Sequence, residues 1–306
     1  MFKKLLVATD MLEACDAAVL TALEIAKQNN GKLQILHVLE SSSTIYRNFV
    51  KHFRTGEEIV STDEYEESVK KEIEKKCAGA LGPNVKYEIM VTDGFPWDVI
   101  LKSSREKRAE LIVLGPHSGK AEEKGVARTS GAIGSTLEGV IMRERCPVMI
   151  VNRVMSKERL KFQKVMVSTD FSKSCAYAFR FAQKFAQKHG SKLFLFHMLP
   201  VPPSPIYSQA DYEANLHSSE KKLEALCEDI PDGLNYEYSV LRGALPHLEI
   251  EKYADKKDID LIIMGSHTKE NGEKWYVGSA VERVSLRSIC PVIVVTDPKA
   301  LLSMGS

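Results

Sequence analysis

The sequence repeats itself, and this repeat limits what the chain can fold into. Residues 4–10, Lys-Leu-Leu-Val-Ala-Thr-Asp, return as residues 164–170, Lys-Val-Met-Val-Ser-Thr-Asp. Three further segments recur in the same order: 32–38 as 192–198, 109–117 as 259–267, and 146–151 as 290–295. A chain of 306 residues can form two domains of roughly 150 residues, each with its own core. We therefore predict two similar domains, residues 1–153 and 162–298, with a linker at about 154–161.

The distance between equivalent residues decreases along the chain. It is 160 residues at Asp10 and Asp170, 150 at Gly115 and Gly265, and 144 at Cys146 and Cys290. The N-terminal half therefore carries two insertions, of ten residues before its second helix and of six residues in the loop after Gly115. The first insertion falls in the polar segment 40–61, which we predict to be irregular. Its composition does not decide between a lid and a contact surface.

Within each half, short apolar runs alternate with amphipathic segments. This alternation predicts a parallel sheet with helices on both faces. The fold class is α/β, with two similar flavodoxin-like or Rossmann-like domains, each with five parallel strands in the order 3-2-1-4-5. Predicted strands are 3–9, 32–39, 85–91, 111–114, 147–151, 164–169, 192–198, 235–241, 260–264 and 291–295. Predicted helices of the N-terminal half are 15–28, 64–81, 95–107 and 134–145.

In this strand order, the first and fourth strands are neighbours where the chain reverses direction across the sheet. Ligands of such sheets bind outside the carboxyl ends of these strands. Asp170 ends the first strand of the C-terminal half, and Gly265 ends the fourth. The loop after Gly265 leads through Gly278 and Ser279 into a helix, whose first N–H groups would attract an anion. The segment 264–280 is therefore a candidate phosphate-binding loop.

These features together resemble a tandem universal stress protein of the UspA-like family, over nearly the whole chain. The family's nucleotide motif is G-x2-G-x9-G-[S/T], with an aspartate at the end of the first strand. The C-terminal half matches it with Gly265, Gly278 and Ser279, but Thr268 stands at the second glycine. The nucleotide-binding residues that the resemblance implies here are Ser168, Thr169, Asp170, Met198, Met264, Gly265, His267, Thr268, Gly278, Ser279 and Ala280.

The N-terminal half matches the motif less well. Ser118 stands at the second glycine, and fifteen residues instead of nine separate it from Gly134. The resemblance therefore implies better nucleotide binding in the C-terminal half. By position, the corresponding residues of the N-terminal half are Ala8, Thr9, Asp10, Val38, Gly115, His117, Ser118, Gly134 and Ser135.

The resemblance implies a stress-response protein that binds ATP or AMP, and it leaves open whether Mg²⁺ or Mn²⁺ accompanies the nucleotide. The sequence offers no paired acid and base, no nucleophile with its base and no metal cluster, so we assign no catalytic and no metal-binding residue. A binding module is expected, and any hydrolysis should be slow. Two alternatives stay open: a weak ATPase or autokinase that uses Asp170, His267 and a metal, and a scaffold whose two nucleotide sites are degenerate.

Histidines and cysteines of the repeat have simpler interpretations. His37 and His197 lie within predicted strands, where a packed and hydrogen-bonded imidazole is expected. The six cysteines form three equivalent pairs, which explains their even number without disulfides. We predict small buried thiols, with a redox role as the alternative.

Composition and hydropathy bear on location and partners. The net charge is +1, so nothing in it favours nucleic acid or an anionic membrane. No apolar run approaches a membrane span of roughly 18 residues, and the start of the chain does not resemble a signal peptide. We therefore expect a cytoplasmic protein. The resemblance also implies pairing through the last strands, by which single-domain members of the family associate. Here the last strands, 147–151 and 291–295, are short and apolar, so we predict that they pair with each other around a pseudo-twofold axis. A further homodimer and a protein partner stay open.

Overall fold

The structure is a computed structural model that describes residues 1–41, 49–79, 85–116, 133–201, 208–266 and 277–296. The elements of the N-terminal half follow the predicted alternation, with one additional pair of strands. In chain order they are β1 (Lys4–Ala8), α1 (Glu13–Gln28), β2 (Lys32–Glu40), β3 (Phe49–Lys51), β4 (Glu58–Val60), α2 (Asp63–Cys77), β5 (Lys86–Gly94), α3 (Pro96–Lys107), β6 (Leu111–Leu114), α4 (Ser135–Ile141) and β7 (Val148–Ile150).

The C-terminal half repeats this series without the additional strands. A 3₁₀ turn at Arg159–Lys161 precedes it. Its elements are β8 (Lys164–Ser168), α5 (Lys173–His189), β9 (Lys192–Pro200), α6 (Gln209–Glu228), β10 (Tyr236–Gly243), α7 (Pro246–Lys257), β11 (Leu261–Gly265), α8 (Ser279–Arg287) and β12 (Val292–Val295).

The two halves share one ten-stranded sheet. Its order is β10-β9-β8-β11-β12-β7-β6-β1-β2-β5. Within each half the strands are parallel, and their order is the predicted 3-2-1-4-5. The predicted fold class is therefore confirmed.

The halves meet where β7 and β12 pair in the antiparallel direction. Met149 lies opposite Ile293, and the flanking pairs are Ile150 with Val292 and Val148 with Val294. Met149 and Ile293 are equivalent positions of the repeat, so a pseudo-twofold axis passes between them. The predicted pairing of the last strands is confirmed.

Side-chain hydrogen bonds at the two ends of this strand pair follow the same symmetry. Asn152 Nδ2 donates to the carbonyl oxygen of Ser288 at 3.2 Å, and Thr296 Oγ1 donates to that of Glu144 at 2.9 Å. Asn152 is equivalent to Thr296, and Glu144 to Ser288. The two halves therefore bind each other as the halves of a symmetric dimer would.

Helices cover both faces of the sheet, and each face has one continuous apolar core. The first core joins α1 and α2 to α5 and α6, and the second joins α3 and α4 to α7 and α8. Both cores cross the seam between β7 and β12. The central strands β6, β7, β11 and β12 are buried on both faces, so they consist almost entirely of apolar residues.

Local signals fix several helix ends. Thr62 Oγ1 accepts from the amide of Tyr65 at 3.2 Å and so caps the start of α2. Ser208 and Asp211 form a reciprocal capping box at the start of α6. Gly190 ends α5 with a φ of 65°, which glycine adopts without a steric penalty.

Three predictions were wrong in detail. The helix predicted at 64–81 ends at Cys77. The segment 40–61 is not wholly irregular, because it contains the antiparallel hairpin β3–β4, anchored by the fully buried Val50. Strands of three residues are too short to give a periodic signal. The last helix of the N-terminal half ends at Ile141 instead of Arg145. Beyond it the chain turns, and Glu144 Oε1 accepts from the amides of Arg145 and Cys146 at 2.7 and 3.3 Å.

The segment between the halves is tied to the C-terminal half by Arg159. Its Nε donates to Asp260 Oδ1 at 3.1 Å, and its Nη2 donates to the carbonyl oxygen of Ile259 at 2.6 Å. Asp260 is buried, and its second oxygen accepts from the amide of Lys164 at 3.0 Å. The start of β8 is therefore held by a charged network that begins in the linker.

Candidate functional site

The end of β8 is held against the end of β9. The amide of Thr169 donates to the carbonyl oxygen of Phe196 at 2.9 Å, and His197 Nδ1 donates to that of Thr169 at 2.8 Å. In the N-terminal half, His37 Nδ1 donates to Thr9 in the same way, also at 2.8 Å. Both histidines are therefore packed and hydrogen-bonded, as predicted.

Asp170 shapes the turn that leads from β8 into α5. Its Oδ1 accepts from the amide of Ser172 at 2.9 Å, and Thr169 Oγ1 accepts from that of Phe171 at 2.9 Å. Phe171 has a φ of 66°, and Ser172 then caps α5 through the amide of Cys175 at 3.4 Å. The turn leaves Asp170 solvent-exposed at the carboxyl end of the sheet.

Burial determines the protonation states of His197 and Cys175, the titratable groups beside this turn. It lowers the pKa of His197, although the hydrogen bond to Thr169 opposes the shift. It also raises the pKa of Cys175 to about 11, and the nearby Asp170 adds to this shift. At neutral pH, His197 is therefore a neutral hydrogen-bond donor and Cys175 a thiol, so neither adds charge.

Gly265 ends β11 beside this turn, and packing explains why it is glycine. A Cβ atom at Gly265 would lie 2.5 Å from the carbonyl carbon and oxygen of Ser174 and 2.7 Å from the amide nitrogen of Cys175. The backbone of α5 therefore occupies the space that a side chain would need. The close contact of α5 with β11 therefore requires glycine at position 265, independently of any role in ligand binding.

The start of α8 supplies hydrogen-bond donors. Gly278 is its N-cap, with φ −60° and ψ 138°, and among the described residues no side chain caps the helix. The first bond of the helix runs from the amide of Glu282 to the carbonyl oxygen of Gly278 at 3.0 Å. The amides of Ser279, Ala280 and Val281 thus precede the helical hydrogen bonds and can bind an anion.

The remaining predicted residues of the C-terminal half lie around these elements. Ser168 and Met264 are buried at strand ends, and Met198 and Ala280 are half-buried. His267 and Thr268 lie outside the described residues. The structure therefore brings together the first-strand turn, the end of β11 and the neighbouring sheet positions that sequence predicted.

The N-terminal half repeats the arrangement. Asp10 Oδ1 accepts from the amide of Leu12 at 3.0 Å, and Thr9 Oγ1 accepts from that of Met11 at 3.0 Å. Gly134 is the N-cap of α4, which no side chain caps. The other predicted residues within the described part lie at the equivalent strand ends or at the start of α4: Ala8, Val38, Gly115 and Ser135. His117 and Ser118 are outside the described residues.

The two halves differ beside the first-strand turn. In the N-terminal half, Lys76 of α2 donates to the carbonyl oxygen of Met11 at 2.6 Å and pairs with Asp16 at 2.7 Å. The ring of Phe53, from the inserted hairpin, lies edge-on to His37 with centroids 6.2 Å apart. The inserted hairpin therefore adds a contact beside β2, and Lys76 separately ties α2 to the first-strand turn.

In the C-terminal half, Phe171 takes the place beside the strand histidine. Its ring centroid lies 4.5 Å from that of His197, and Lys222 Nζ lies 5.4 Å above the ring. Sequence reasoning missed Phe171, because its positive φ has no signal in a single sequence. It also missed the backbone of Ser174 as the reason for Gly265.

The described part of the chain was compared with the requirements of a metal site and of a membrane-spanning helix. It contains no group of three or more His, Cys, Asp or Glu side chains arranged to hold a metal ion. None of its helices is both long and apolar enough to span a membrane.

Similarity to known proteins is found separately in each half of the repeat. The model of the universal stress protein family matches twice, at residues 1–152 and 161–296. The universal stress protein MJ0531 of Methanocaldococcus jannaschii is 28% identical over 158 residues, which are 49% of this chain and 91% of that protein. YxiE of Bacillus subtilis, also a universal stress protein, is 31% identical over 156 residues, 49% of this chain and 99% of that protein.

A solved structure resembles the whole chain. A universal stress protein from Archaeoglobus fulgidus covers 96% of this chain, and 97% of its own length is matched, with a TM-score of 0.63 and 22% identity. That likeness concerns the fold, whereas the two family matches concern the sequence of each half. Since these matches account for nearly all of the residues, the chain belongs to the universal stress protein family.

Proposed function

We propose that this chain is a cytoplasmic stress-response protein that binds an adenine nucleotide, ATP or AMP. The site is the crevice at the carboxyl ends of the strands, and the C-terminal half binds better than the N-terminal half. The observation that carries the proposal is the uncapped start of α8 at Gly278 and Ser279, in the same half as the exposed Asp170.

The chemistry of these groups supports a nucleotide. The amides of the first turn of α8, which make no helical hydrogen bond, and the positive end of the α8 dipole favour phosphate oxygens. An exposed carboxylate such as Asp170 accepts hydrogen bonds from hydroxyl groups, which a ribose supplies. Both lie at the edge of the sheet where open α/β folds bind their ligands.

Differences between the halves support the preference for the C-terminal half. α8 has nine residues, whereas α4 has seven, so its aligned peptide dipoles are more numerous. The motif of the C-terminal half also keeps the nine-residue spacing before Gly278. We assign no catalytic residue, and the proposal is one of binding.

Equilibrium titration of the whole chain with ATP, ADP and AMP tests the proposal, with and without Mg²⁺. Ser279→Glu is the decisive variant, because a carboxylate in the first turn stabilises a helix but repels phosphate. We expect it to weaken ATP binding at least about tenfold. The matched control is Ser135→Glu at the equivalent position of α4, which should leave the stronger site unchanged.

A second pair of variants tests the first-strand turn. Asp170→Asn keeps the oxygen that accepts from Ser172 but removes the charge, and Asp10→Asn is its counterpart. We expect a greater loss of affinity from the change at Asp170. Absence of binding at millimolar nucleotide would refute the proposal and favour the degenerate scaffold. Phosphate release that needs Mg²⁺ and Asp170 would favour the weak ATPase.

A further inference from the structure

The strand β10 forms one outer edge of the ten-stranded sheet. Within the part of the chain that the structure describes, it is hydrogen-bonded to β9 alone. Its eight residues therefore present a row of backbone N–H and C=O groups on the outer side. Such an edge is a template for another strand unless charge, proline or a bulge protects it.

Charges protect only part of this edge, because Glu237 of β10 pairs with Lys192 at 2.9 Å and with Lys257. Three large hydrophobic side chains are exposed along it: Tyr236 at 42%, Tyr238 at 37% and Leu241 at 37%. The opposite edge, β5, exposes only Tyr87 to that degree among its described residues. Beside Tyr87, Glu88 pairs with Lys107 and Lys32 at 3.0 and 3.6 Å, as Glu237 does with its two lysines, so the two edges differ in their exposed hydrophobic side chains and not in this charge cluster.

The seam between β7 and β12 shows what symmetric pairing of edges requires. A twofold axis perpendicular to a sheet keeps each face on its own side, and directly opposed residues of antiparallel strands share a face. The axis must therefore pass between two equivalent residues that lie directly opposite each other. Met149 and Ile293 are such a pair at the seam. The same rule restricts how β10 can pair with itself.

Contacts with α6 show which face of β10 each side chain occupies. Tyr238 Oη donates to Glu224 at 3.0 Å, and the Arg242 guanidinium lies 5.1 Å from the ring centre of Tyr212. Since alternate residues share a face, Tyr236, Tyr238, Val240 and Arg242 all lie on the side of α6. An axis through Ser239 then places Tyr236 opposite Arg242 and Tyr238 opposite Val240.

We propose that β10 is a self-association surface, and that its occupant is β10 of a second copy of this chain. The axis through Ser239 makes the edge complementary to itself. Each Arg242 would meet the aromatic face of a Tyr236 side chain, an attractive cation–π arrangement. Each Tyr238 would pack on a β-branched Val240, a favourable cross-strand pair.

A second β10 strand is favoured over a β5 strand as the occupant, because only pairing of β10 with β10 gives a closed dimer. Pairing of β10 with β5 of another molecule would leave one edge of each kind open and would continue into a filament. Pairing of β10 with β10 ends after two molecules, because the remaining edges are β5 strands, which expose one large hydrophobic side chain where β10 exposes three. The product is a dimer with a continuous sheet of twenty strands.

Sedimentation equilibrium of the whole chain tests this proposal over a wide range of protein concentration. The mass should rise with concentration from 34.2 kDa to about twice that value. Two variants remove the same exposed aromatic ring but differ in charge: Tyr236→Lys faces Arg242 with a like charge, and Tyr236→Glu with an opposite one. Because the dimer contains this pair twice, we expect the dissociation constants of the two variants to differ about tenfold, with the lysine variant weaker.

Tyr87→Lys on β5 is the matched control and should leave the dimer unchanged. Three results would overturn the proposal: a mass of 34.2 kDa at every concentration, equal dissociation constants for the two Tyr236 variants, or loss of the dimer in Tyr87→Lys. The first would favour an extended segment of another protein as the occupant. The other two would place the dimer contact elsewhere.

Discussion

Met149 lies directly opposite Ile293, its own counterpart in the repeat, where the two halves of the sheet meet. Both side chains are fully buried, one from each half. The chain therefore reproduces within one molecule the contact by which a symmetric dimer would form, and the two apolar cores are continuous across it. The seam is thus part of the core, so the halves should unfold together.

Truncation of Ile293 should destabilise the whole chain. Ile293→Ala removes buried methyl groups at the seam and leaves a cavity, so we expect a loss of about 2–5 kcal/mol in the free energy of unfolding. Urea denaturation followed by circular dichroism measures it. Val60→Ala, at an exposed position of the inserted hairpin, is the control and should change stability by less than about 0.5 kcal/mol. A similar small change at Ile293 would contradict the shared core.

Gly265 is predicted to be structurally irreplaceable. Gly265→Ala would bring a Cβ atom to 2.5 Å from the backbone of Ser174, so α5 or β11 must move. We expect a loss of about 1–3 kcal/mol, the usual cost of forcing extra volume into a packed region. Differential scanning calorimetry without any nucleotide measures this loss.

Gly79→Ala is the control for this substitution, because a Cβ atom there would meet nothing within 4 Å. It should be neutral or slightly stabilising, since alanine restricts the unfolded chain more than glycine does. Unchanged stability of Gly265→Ala would show that α5 adapts easily. The glycine would then have to be explained by the ligand.

The repeat and its hydrophobic pattern were sufficient to predict the fold. The alternation of strands and helices indicated the fold class, and the predicted strand order was that of a Rossmann-like sheet. The pairing of β7 with β12 was predicted from the family resemblance together with two short apolar strands that each needed a neighbour. The turn at Asp170 and the start of α8 were found in the same way. These features depend on local pattern and on topology, both of which a single sequence contains.

Other features depend on tertiary contacts that leave no local pattern. The hairpin β3–β4 consists of three-residue strands, and its formation depends on the burial of Val50 against the rest of the half. The close approach of Ser174 to Gly265 joins residues about ninety positions apart in the chain. A motif glycine can thus be recognised from sequence while the reason for it cannot.

The six cysteines should be unreactive in the folded protein. All six are buried free thiols, and burial raises the pKa of Cys15 to about 12 and that of Cys175 to about 11. With a pKa near 11, about one thiol in a thousand is ionised at pH 8, and the thiolate is the reactive form. We expect negligible reaction with a disulfide reagent at pH 8 until the chain is denatured, when all six should react. Rapid modification of one native thiol would instead favour the redox role.

Glu282 and Glu138 are equivalent residues of α8 and α4, and their interaction across the seam should make stability depend on pH. Burial raises the pKa of Glu282 above its usual 4.5, Glu138 raises it further, and Arg283 opposes the shift. The folded state therefore holds this proton more tightly than the unfolded state, so stability falls as pH rises through and just above 4.5. Glu282→Gln should lack this component, and its stability relative to the parent chain should increase between pH 4 and pH 7 in urea denaturation series.

Glu74→Gln, an exposed position on α2, is the control and should show a constant difference across this range. A constant difference for Glu282→Gln as well would show that neither burial nor Glu138 raises the pKa of Glu282 in the folded protein.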